Sequence, residues 1–256
     1  MKRVSHHGRG TAYRRSARTD EGPGMLCVHG SGGNAGVWNA QSRLSDRTPV
    51  TAMELSDHGE SGALTAQAGY ETLSGYADDV VAVAEETGDR VLCGNSLGAA
   101  VAMTVALERE LDLDGLVLAG AGARLPVLDD LLIWLQSDFD RAVEFLHGTD
   151  RLFHDPSDEL VEVSEAAMRE TGQAVTARDF RTCHGFDVAE RLGEIDVPTM
   201  AVVGEYDQLT PPHYHEALSE GIPYCEVAVV DDAAHLAMLE QPAAFNSAVE
   251  SFLDRL

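Results

Sequence analysis

The sequence predicts an α/β protein built on a mostly parallel sheet that is flanked by helices. Short apolar runs that suit buried strands alternate along the chain with longer segments of helical periodicity. This alternation calls for crossover connections between neighbouring strands, and such connections make a sheet parallel. Between residues 124 and 181 the alternation stops and only helical patterns occur. The length of 256 residues suits one such sheet carrying an insertion.

The expected strands are short, apolar and followed by loops. Residues 4–18 hold one or two edge strands. Six further strands are expected at Met25–Val28, Val50–Leu55, Val91–Cys93, Asp114–Gly120, Val197–Val203 and Cys225–Val230. Helices are expected at Val37–Ser45, Thr72–Glu86, Ala99–Met103 and Phe186–Leu192. In the second of these, Leu73, Tyr76 and Val80 recur at helical spacing, so that one face of the helix is buried.

The inserted region carries three amphipathic stretches and no convincing strand. These are Leu128–Leu135, Asp140–Leu146 and Glu159–Glu170. The pattern predicts a helical cap at residues 124–182, inserted between the sixth and seventh strands of a core formed by residues 1–123 and 183–256. A cap over the carboxyl ends of the strands would enclose a substrate and exclude water.

A serine lies between two glycines at the joint of a predicted strand and a predicted helix, in Gly94-Asn95-Ser96-Leu97-Gly98. At such a joint the turn is so tight that only glycine fits on either side, and the serine hydroxyl projects into a cleft. The pattern indicates a nucleophile at Ser96. A flexible Ser/Gly loop is the alternative that the short motif leaves open.

A serine hydroxyl needs a base to accept its proton and a carboxylate to orient that base. In an open parallel sheet these partners follow later strands. Asp207 comes shortly after the predicted seventh strand, and His235 shortly after the eighth. We therefore expect a Ser96–Asp207–His235 set. Glu205 and Asp187 compete for the role of the acid, although Asp187 begins a helix, where an aspartate ordinarily serves as a cap.

The glycine-rich turn after the strand Met25–Val28 offers backbone donors. Its N–H groups can point at a substrate oxygen because glycines leave the approach open. We expect Ser31 to supply one donor, with Gly32 as the alternative, and Leu97 to supply the second. The residues expected to contact substrate are Gly32, Trp38, Asn95 and Trp134. For Trp38, a place in the core is the open alternative.

Together these residues resemble the α/β-hydrolase superfamily over most of the chain. The matching motifs, in chain order, are His29-Gly30, His58-Gly59-Glu60-Ser61, Gly94–Gly98, Gly204–Asp207, and His235 with Glu240-Gln241-Pro242 downstream. The resemblance implies an α/β-hydrolase fold, a Ser-Asp-His hydrolase with a helical cap, and no cofactor.

The chain departs from the family's pattern at three positions. Asn95 replaces a histidine before the nucleophile, Ala234 replaces a glycine before His235, and Asp57 replaces a glycine before His58. None of these changes removes a catalytic atom.

Two histidines outside the expected set follow strands. His29 is expected to hold its loop rather than to react. His58 could face the cleft, although no acid stands at a suitable position beside it. No group of residues has metal-ligand spacing, and the four cysteines are expected to be small buried thiols.

The composition is strongly acidic. Asp and Glu number 43 against 18 basic residues, for a formal net charge of −25, and Lys2 is the only lysine. Such a chain is not expected to bind nucleic acid or an anionic membrane. We expect adaptation to a salt-rich cytoplasm, as in a halophile, where salt screens the repulsion between carboxylates. The chain shows no signal peptide and no run that could cross a bilayer, so a cytoplasmic monomer or homodimer is expected.

The resemblance implies acyl transfer as the chemistry. The expected substrate is a small-molecule carboxylic ester, lactone or thioester, which is cleaved through an acyl-enzyme at Ser96. Hydrolysis of a carbon–carbon bond in a 1,3-dicarbonyl-type compound and cofactor-free perhydrolysis are alternatives within the same fold. A ligand-binding or receptor role without turnover is the alternative from another class.

Overall fold

The computed structural model describes residues 1–256 and contains one eight-stranded sheet. The strands are β1 (Lys2–His6), β2 (Arg9–Ser16), β3 (Met25–Val28), β4 (Val50–Met53), β5 (Val91–Asn95), β6 (Gly115–Ala119), β7 (Thr199–Gly204) and β8 (Cys225–Val230). Their order across the sheet is β1-β2-β4-β3-β5-β6-β7-β8. The mostly parallel sheet is therefore as predicted, and the N-terminal segment forms two strands, of which β1 lies at the edge of the sheet.

The two halves of the sheet differ in direction. β1 pairs with β2, and β2 pairs with β4, in antiparallel register. From β4 to β8 every pair is parallel. Because parallel strands end at the same edge, the loops after β3, β5, β7 and β8 all emerge there.

Nine α-helices accompany the sheet. They are α1 (Tyr70–Thr87), α2 (Leu97–Glu108), α3 (Asp129–Ser137), α4 (Phe139–Leu146), α5 (Asp158–Thr171), α6 (Gln173–His184), α7 (Pro212–Gly221), α8 (Ala237–Glu240) and α9 (Pro242–Leu253). None of them is both long and apolar enough to cross a bilayer. Predicted helices at the amphipathic segments correspond to α1, α3, α4 and α5 within a few residues.

Two predicted helices are wrong in detail. The stretch Val37–Ser45 forms two short 3₁₀ helices, Ala35–Trp38 and Ala40–Asp46, with bonds that span three residues, such as that from the Asn39 N–H to the Gly36 carbonyl. The stretch Phe186–Leu192 is replaced by one 3₁₀ helix, Ala189–Glu194. Bonds of this kind close short turns and rarely extend.

The insertion between β6 and β7 contains four helices, α3 to α6, where three were predicted. The missing one is α6, whose buried side includes Thr176, Asp179, Thr182 and Cys183. Apolar periodicity is the sequence signal of a buried helix face. A face that buries polar residues gives no such signal, so α6 was not predicted. The predicted boundary at residue 182 also falls two residues inside this helix.

The core lies on both faces of the sheet, and successive residues of each strand alternate between them. In β3, Leu26 and Val28 pack with α1 and α2 on one face. Met25 and Cys27 pack with α9 and residues of the insertion on the other. Since both faces are covered, the parallel strands are apolar throughout.

Candidate active site

Ser96 lies in the turn between β5 and α2 in a strained conformation. Its φ is 55° and its ψ is −114°, in the left-handed region that a residue with a side chain rarely occupies. A Cβ at Gly94 would overlap the Gly98 carbonyl, and a Cβ at Gly98 would overlap the Val28 carbonyl. Only glycine therefore fits on either side of this serine, as the sequence motif predicts.

Asp207 and His235 lie on the loops that follow β7 and β8, and they are hydrogen bonded to each other. The His235 Nδ1 is 2.9 Å from the Asp207 Oδ2. Since a carboxylate accepts, this nitrogen carries the hydrogen, and the neutral ring then has Nε2 free to accept a proton. The side chains of Glu205 and Asp187 lie elsewhere: Glu205 accepts from the Asp232 N–H, and Asp187 pairs with Arg124.

The Asp207 carboxylate is fixed by further hydrogen bonds. Its Oδ1 accepts from the N–H groups of Leu209 and Thr210 at 2.8 and 2.9 Å, and its Oδ2 accepts from the Thr210 hydroxyl at 2.8 Å. Burial raises the pKa of Asp207, but the electrostatic interaction with His235 and the hydrogen bonds from His235 and Thr210 outweigh burial and lower this pKa below its ordinary value. Asp207 is therefore charged at neutral pH.

Ser96 and His235 line the same cavity, which has a volume of about 790 Å³. No hydrogen bond joins the Ser96 hydroxyl to the His235 ring. A contact of this kind is often long without substrate and tightens when substrate binds. The structure thus brings the three predicted side chains to one edge of the sheet.

The glycine-rich turn after β3 packs directly against Ser96. A Cβ at Gly30 would lie 3.2 Å from the Ser96 Cβ. The Gly33 N–H donates to the Gly30 carbonyl at 3.1 Å, and Gly32 has the positive φ of 67° that a type II turn requires at its third position. The Ser31 N–H donates to no protein atom, whereas the Gly32 N–H donates to Asp179 at 3.3 Å.

Leu97 is the first residue of α2, so no carbonyl one helical turn earlier can accept its N–H within the helix. The N-terminus of a helix also favours negative charge. The free N–H groups of Ser31 and Leu97 therefore lie on the two segments that adjoin Ser96.

The cavity is mostly apolar and contains no lysine or arginine. Its ionisable side chains are His235, Cys183, Tyr214 and the exposed Glu170. Apolar lining residues come from the loop before α3 and from α3, α5 and α6 as well as the core, and include Leu125, Val127, Leu131, Met168, Phe180 and Leu236. Insertion helices and core loops thus enclose the space beside Ser96 together.

Of the four residues predicted to contact substrate, Gly32 and Asn95 line this cavity. The Asn95 amide is also committed to the backbone, since it donates to the His235 carbonyl at 3.2 Å. It therefore holds the histidine loop in place.

The two predicted tryptophans do not line the cavity. Trp38 is 1% exposed and packs in the core, with its ring centroid 6.1 Å from that of Phe245. Trp134 packs beside Phe145, and the guanidinium of Arg141 covers its ring. Both predictions were wrong because an aromatic residue near a turn or on a helix gives the same pattern whether it faces a cavity or packs between elements.

The two additional histidines are buried. The His29 Nε2 accepts the Leu55 N–H at 3.1 Å, so this ring holds its loop, and burial together with the charge of His58 lowers the pKa of His29 to about 3. His58 does not face the cleft. It contacts Asp179 of α6, an acid that was not predicted. No group of three or more His, Cys, Asp or Glu side chains is arranged to hold a metal ion.

Comparison with known proteins identifies the family of the chain. The model of the "Alpha/beta hydrolase family" matches residues 25–248. The chain belongs to the alpha/beta hydrolase family. Its sheet order and flanking helices are those of the α/β-hydrolase fold, and the predicted fold class is confirmed.

Among solved structures, the hydrolase is similar to one described as "Structure of a thermophilic esterase". The two share 30% sequence identity with a TM-score of 0.86, over 99% of this chain and 97% of that one. Among curated proteins, the "Putative carbamate hydrolase RutD" of Agrobacterium fabrum is 28% identical over 92% of this chain and 95% of its own length. The "Pimeloyl-[acyl-carrier protein] methyl ester esterase" of Neisseria meningitidis serogroup B is 26% identical, over 90% and 92%.

Proposed function

We propose that the protein is a serine hydrolase that cleaves a small carboxylic ester, lactone or thioester through an acyl-enzyme at Ser96. The observation that carries the proposal is the common cavity of Ser96 and His235, with His235 held by the buried Asp207. The esterases among the similar proteins support the class of substrate.

In the first step the Ser96 oxygen attacks the carbonyl carbon while the His235 Nε2 accepts the hydroxyl proton. Asp207 holds the ring in the tautomer that leaves Nε2 free, and its charge stabilises the imidazolium that results. The tetrahedral intermediate then collapses, His235 returns the proton to the leaving alcohol or thiol, and the acyl group remains on Ser96. Water that His235 activates releases the acid in the second step.

The negative oxygen of the tetrahedral intermediate is held by the N–H groups of Ser31 and Leu97. Each such donor contributes about 3 kcal/mol of transition-state stabilisation in comparable sites. Ser31 is favoured over Gly32 as the first donor because the Gly32 N–H already donates to Asp179.

The cavity favours an uncharged, apolar acyl group. No cationic side chain lines it to pair with a substrate carboxylate, and the net charge of −25 also disfavours the approach of an anion. At about 790 Å³ the space is within the range of pockets that enclose small molecules. The proposed partner is therefore a neutral small molecule, and no cofactor takes part in the reaction.

We further propose that the helices inserted between β6 and β7 act as a cap, as predicted for residues 124–182. Residues from α3, α5 and α6 line the cavity that contains Ser96. They would exclude water and select the acyl group by shape.

The acidic composition supports adaptation to a cytoplasm rich in salt. Salt at molar concentration shortens the Debye length to roughly 3 Å, which screens the repulsion among surface carboxylates. Solvent-exposed acids are present along the whole chain, and most arginines already have an acidic partner.

The test is a panel of p-nitrophenyl esters of rising chain length, assayed in high salt on the wild type, on Ser96→Ala and on Ser31→Ala. We expect hydrolysis of at least one ester and a loss of about four orders of magnitude or more in kcat for Ser96→Ala. Ser31→Ala is the control, because it removes a hydroxyl from the same cavity and keeps the backbone N–H.

Hydrolysis that survives in Ser96→Ala would contradict the proposal. Inactivity on every ester, together with a ketonised intermediate from a dienol-dione substrate, would instead favour hydrolysis of a carbon–carbon bond.

A further inference from the structure

Two consecutive residues of α6 face two consecutive residues of the loop after β4. In one pair α6 supplies the basic residue, and in the other it supplies the acidic residue. The Arg178 Nη1 lies 2.8 Å from the Asp57 Oδ2. The His58 Nε2 lies 3.0 Å from the Asp179 Oδ2. We call these four residues, Asp57, His58, Arg178 and Asp179, the crossed ion pairs. They join an insertion helix to the core beside the glycine-rich turn.

His58 is an imidazolium in this arrangement. Its Nδ1 is 3.0 Å from the Ser56 carbonyl oxygen, and its Nε2 faces the Asp179 carboxylate. Both partners are acceptors, so both ring nitrogens carry a hydrogen. Burial would lower the pKa of His58, but the charge and hydrogen bond of Asp179 outweigh it and raise this pKa.

The second oxygen of the Asp179 carboxylate is also hydrogen bonded, and the whole pair is buried. Its Oδ1 accepts from the Tyr76 hydroxyl at 2.7 Å, and that hydroxyl accepts from the Arg178 Nη2 at 2.7 Å. Asp179 and His58 are both fully buried. A buried charge that is fully paired in this way is rigidly held, and removal of one partner is costly.

The carboxylate of Asp179 also reaches the catalytic region. Its Oδ2 accepts the Gly32 N–H at 3.3 Å. This bond fixes the peptide plane between Ser31 and Gly32. That plane adjoins, through the Ser31 Cα, the Gly30–Ser31 plane that carries the Ser31 N–H, whose Gly30 carbonyl accepts from the Gly33 N–H and faces the His29 Nδ1 at 2.9 Å. The turn has no other side-chain bond to a backbone N–H of Gly30 to Gly33, so α6 is what restrains it from the side of the insertion.

We propose that Asp179 is a positioning residue of the hydrolase, which holds the Gly32 N–H so that the Ser31 N–H stays directed at the substrate oxyanion, and that the crossed ion pairs keep α6 in place for this purpose. The proposal rests on the proposed function. It also accounts for Asp57, where the family pattern has a glycine, because a glycine there would leave Arg178 without its ionic partner.

The test compares Asp179→Asn with the wild type on a p-nitrophenyl ester. Asparagine keeps the shape and removes the charge. We expect kcat to fall about tenfold to hundredfold while KM changes by less than about threefold, because the donor is displaced in the transition state and the cavity is unchanged. Asp179→Glu is expected to recover part of the lost kcat. Amide exchange at Gly32, followed by NMR, is expected to be faster in Asp179→Asn.

The matched control is Asp89→Asn. Asp89 is also buried and bonded to an arginine, Arg15, and to the Thr87 hydroxyl, but it precedes β5 at the opposite edge of the sheet. We expect Asp89→Asn to lower the melting temperature and to leave kcat within about twofold of the wild type. An equal loss of kcat in the two variants would mean that any buried aspartate matters in the same way, and it would overturn the proposal.

A folded Asp179→Asn variant with the kcat and Gly32 exchange of the wild type would also overturn it. If Asp179→Asn does not fold, Tyr76→Phe removes one hydrogen bond from Asp179 and must lower kcat by about threefold or more. An unchanged kcat in Tyr76→Phe then counts against the proposal. If the wild type cleaves no ester, the proposed function fails by itself, and Gly32 exchange still reports whether Asp179 holds the turn.

Discussion

The molecule contains two buried aspartate–histidine pairs with nearly the same local geometry. In one, His235 meets Asp207 at 2.9 Å, and in the other, His58 meets Asp179 at 3.0 Å. Both carboxylates accept additional hydrogen bonds, and both histidines follow strands of the parallel sheet. The distance between the carboxylate and the ring therefore does not distinguish a general base from a structural ion pair.

The second nitrogen of each ring makes the difference. The His235 Nδ1 is bonded, and its ring lines the cavity that contains Ser96. The His58 ring has a partner at both nitrogens and no contact with the cavity. A ring with one free nitrogen can accept a proton, and a ring with two acceptors around it stays protonated. In this molecule the partner of the second nitrogen decides the role of the histidine.

Replacement of the two histidines should separate the pairs most strongly. His235→Gln is expected to lower kcat by about four to six orders of magnitude, because it removes the base that accepts the Ser96 proton. His58→Gln is expected to lower kcat by less than about a hundredfold, because it loosens the crossed ion pairs and leaves the base intact. Steady-state kinetics on one p-nitrophenyl ester measure both losses of kcat. Comparable losses would show that His235 and His58 do not differ in role.

Replacement of the two carboxylates gives the next largest effect. Asp207→Asn is expected to cost about 10⁴ in kcat, since asparagine can favour the tautomer in which Nε2 already carries the hydrogen. The pH dependence of the residual activity of Asp207→Asn tests this cause. A His235 ring held in the wrong tautomer lowers activity at every pH at which the ring is neutral. Asp179→Asn, with its smaller loss of kcat, is the matched comparison.

The sequence predicted the first pair and missed the second for a physical reason. Asp207 and His235 each follow an apolar strand, and the parallel sheet brings the ends of its strands together whatever the insertion does. Asp179 lies on α6, whose buried face is polar, so neither the helix nor its contact with His58 has a periodic signal. The same limit explains Trp38 and Trp134. Strand order and the turn at Ser96 follow from local pattern, whereas contacts with the insertion depend on how the helices pack.

The pairs should respond to pH in opposite directions. The pKa of His58 is raised, so its contribution to stability is complete below the ordinary histidine pKa of about 6.5 and is lost as pH rises through the raised value. The pKa of Asp207 is lowered, so its contribution is present above the ordinary aspartate pKa of about 3.9 and is lost as pH falls through the lowered value.

Thermal unfolding of the wild type, His58→Gln and Asp207→Asn across pH measures these contributions. The stability difference between the wild type and His58→Gln should shrink on the alkaline side, and that between the wild type and Asp207→Asn on the acid side. A His58→Gln difference that grows as pH rises would contradict the imidazolium at His58.

Salt should have the smallest effect on either pair, because buried charges are screened much less than exposed ones. The melting temperature of the wild type is expected to rise between dilute buffer and molar KCl, as surface carboxylates are screened. The difference between the wild type and His58→Gln is expected to stay constant over the same range. A wild-type melting temperature that does not change with KCl would remove the case for salt adaptation.

The most direct test of the account is labelling with a fluorophosphonate probe, followed by mass spectrometry of the modified peptide. A serine activated by His235 displaces fluoride and keeps the phosphonyl group, so the account predicts one adduct, on Ser96, that is formed slowly in Asp207→Asn and is absent in His235→Gln. No adduct on the folded wild type, or an adduct on Ser31 in place of Ser96, would contradict it.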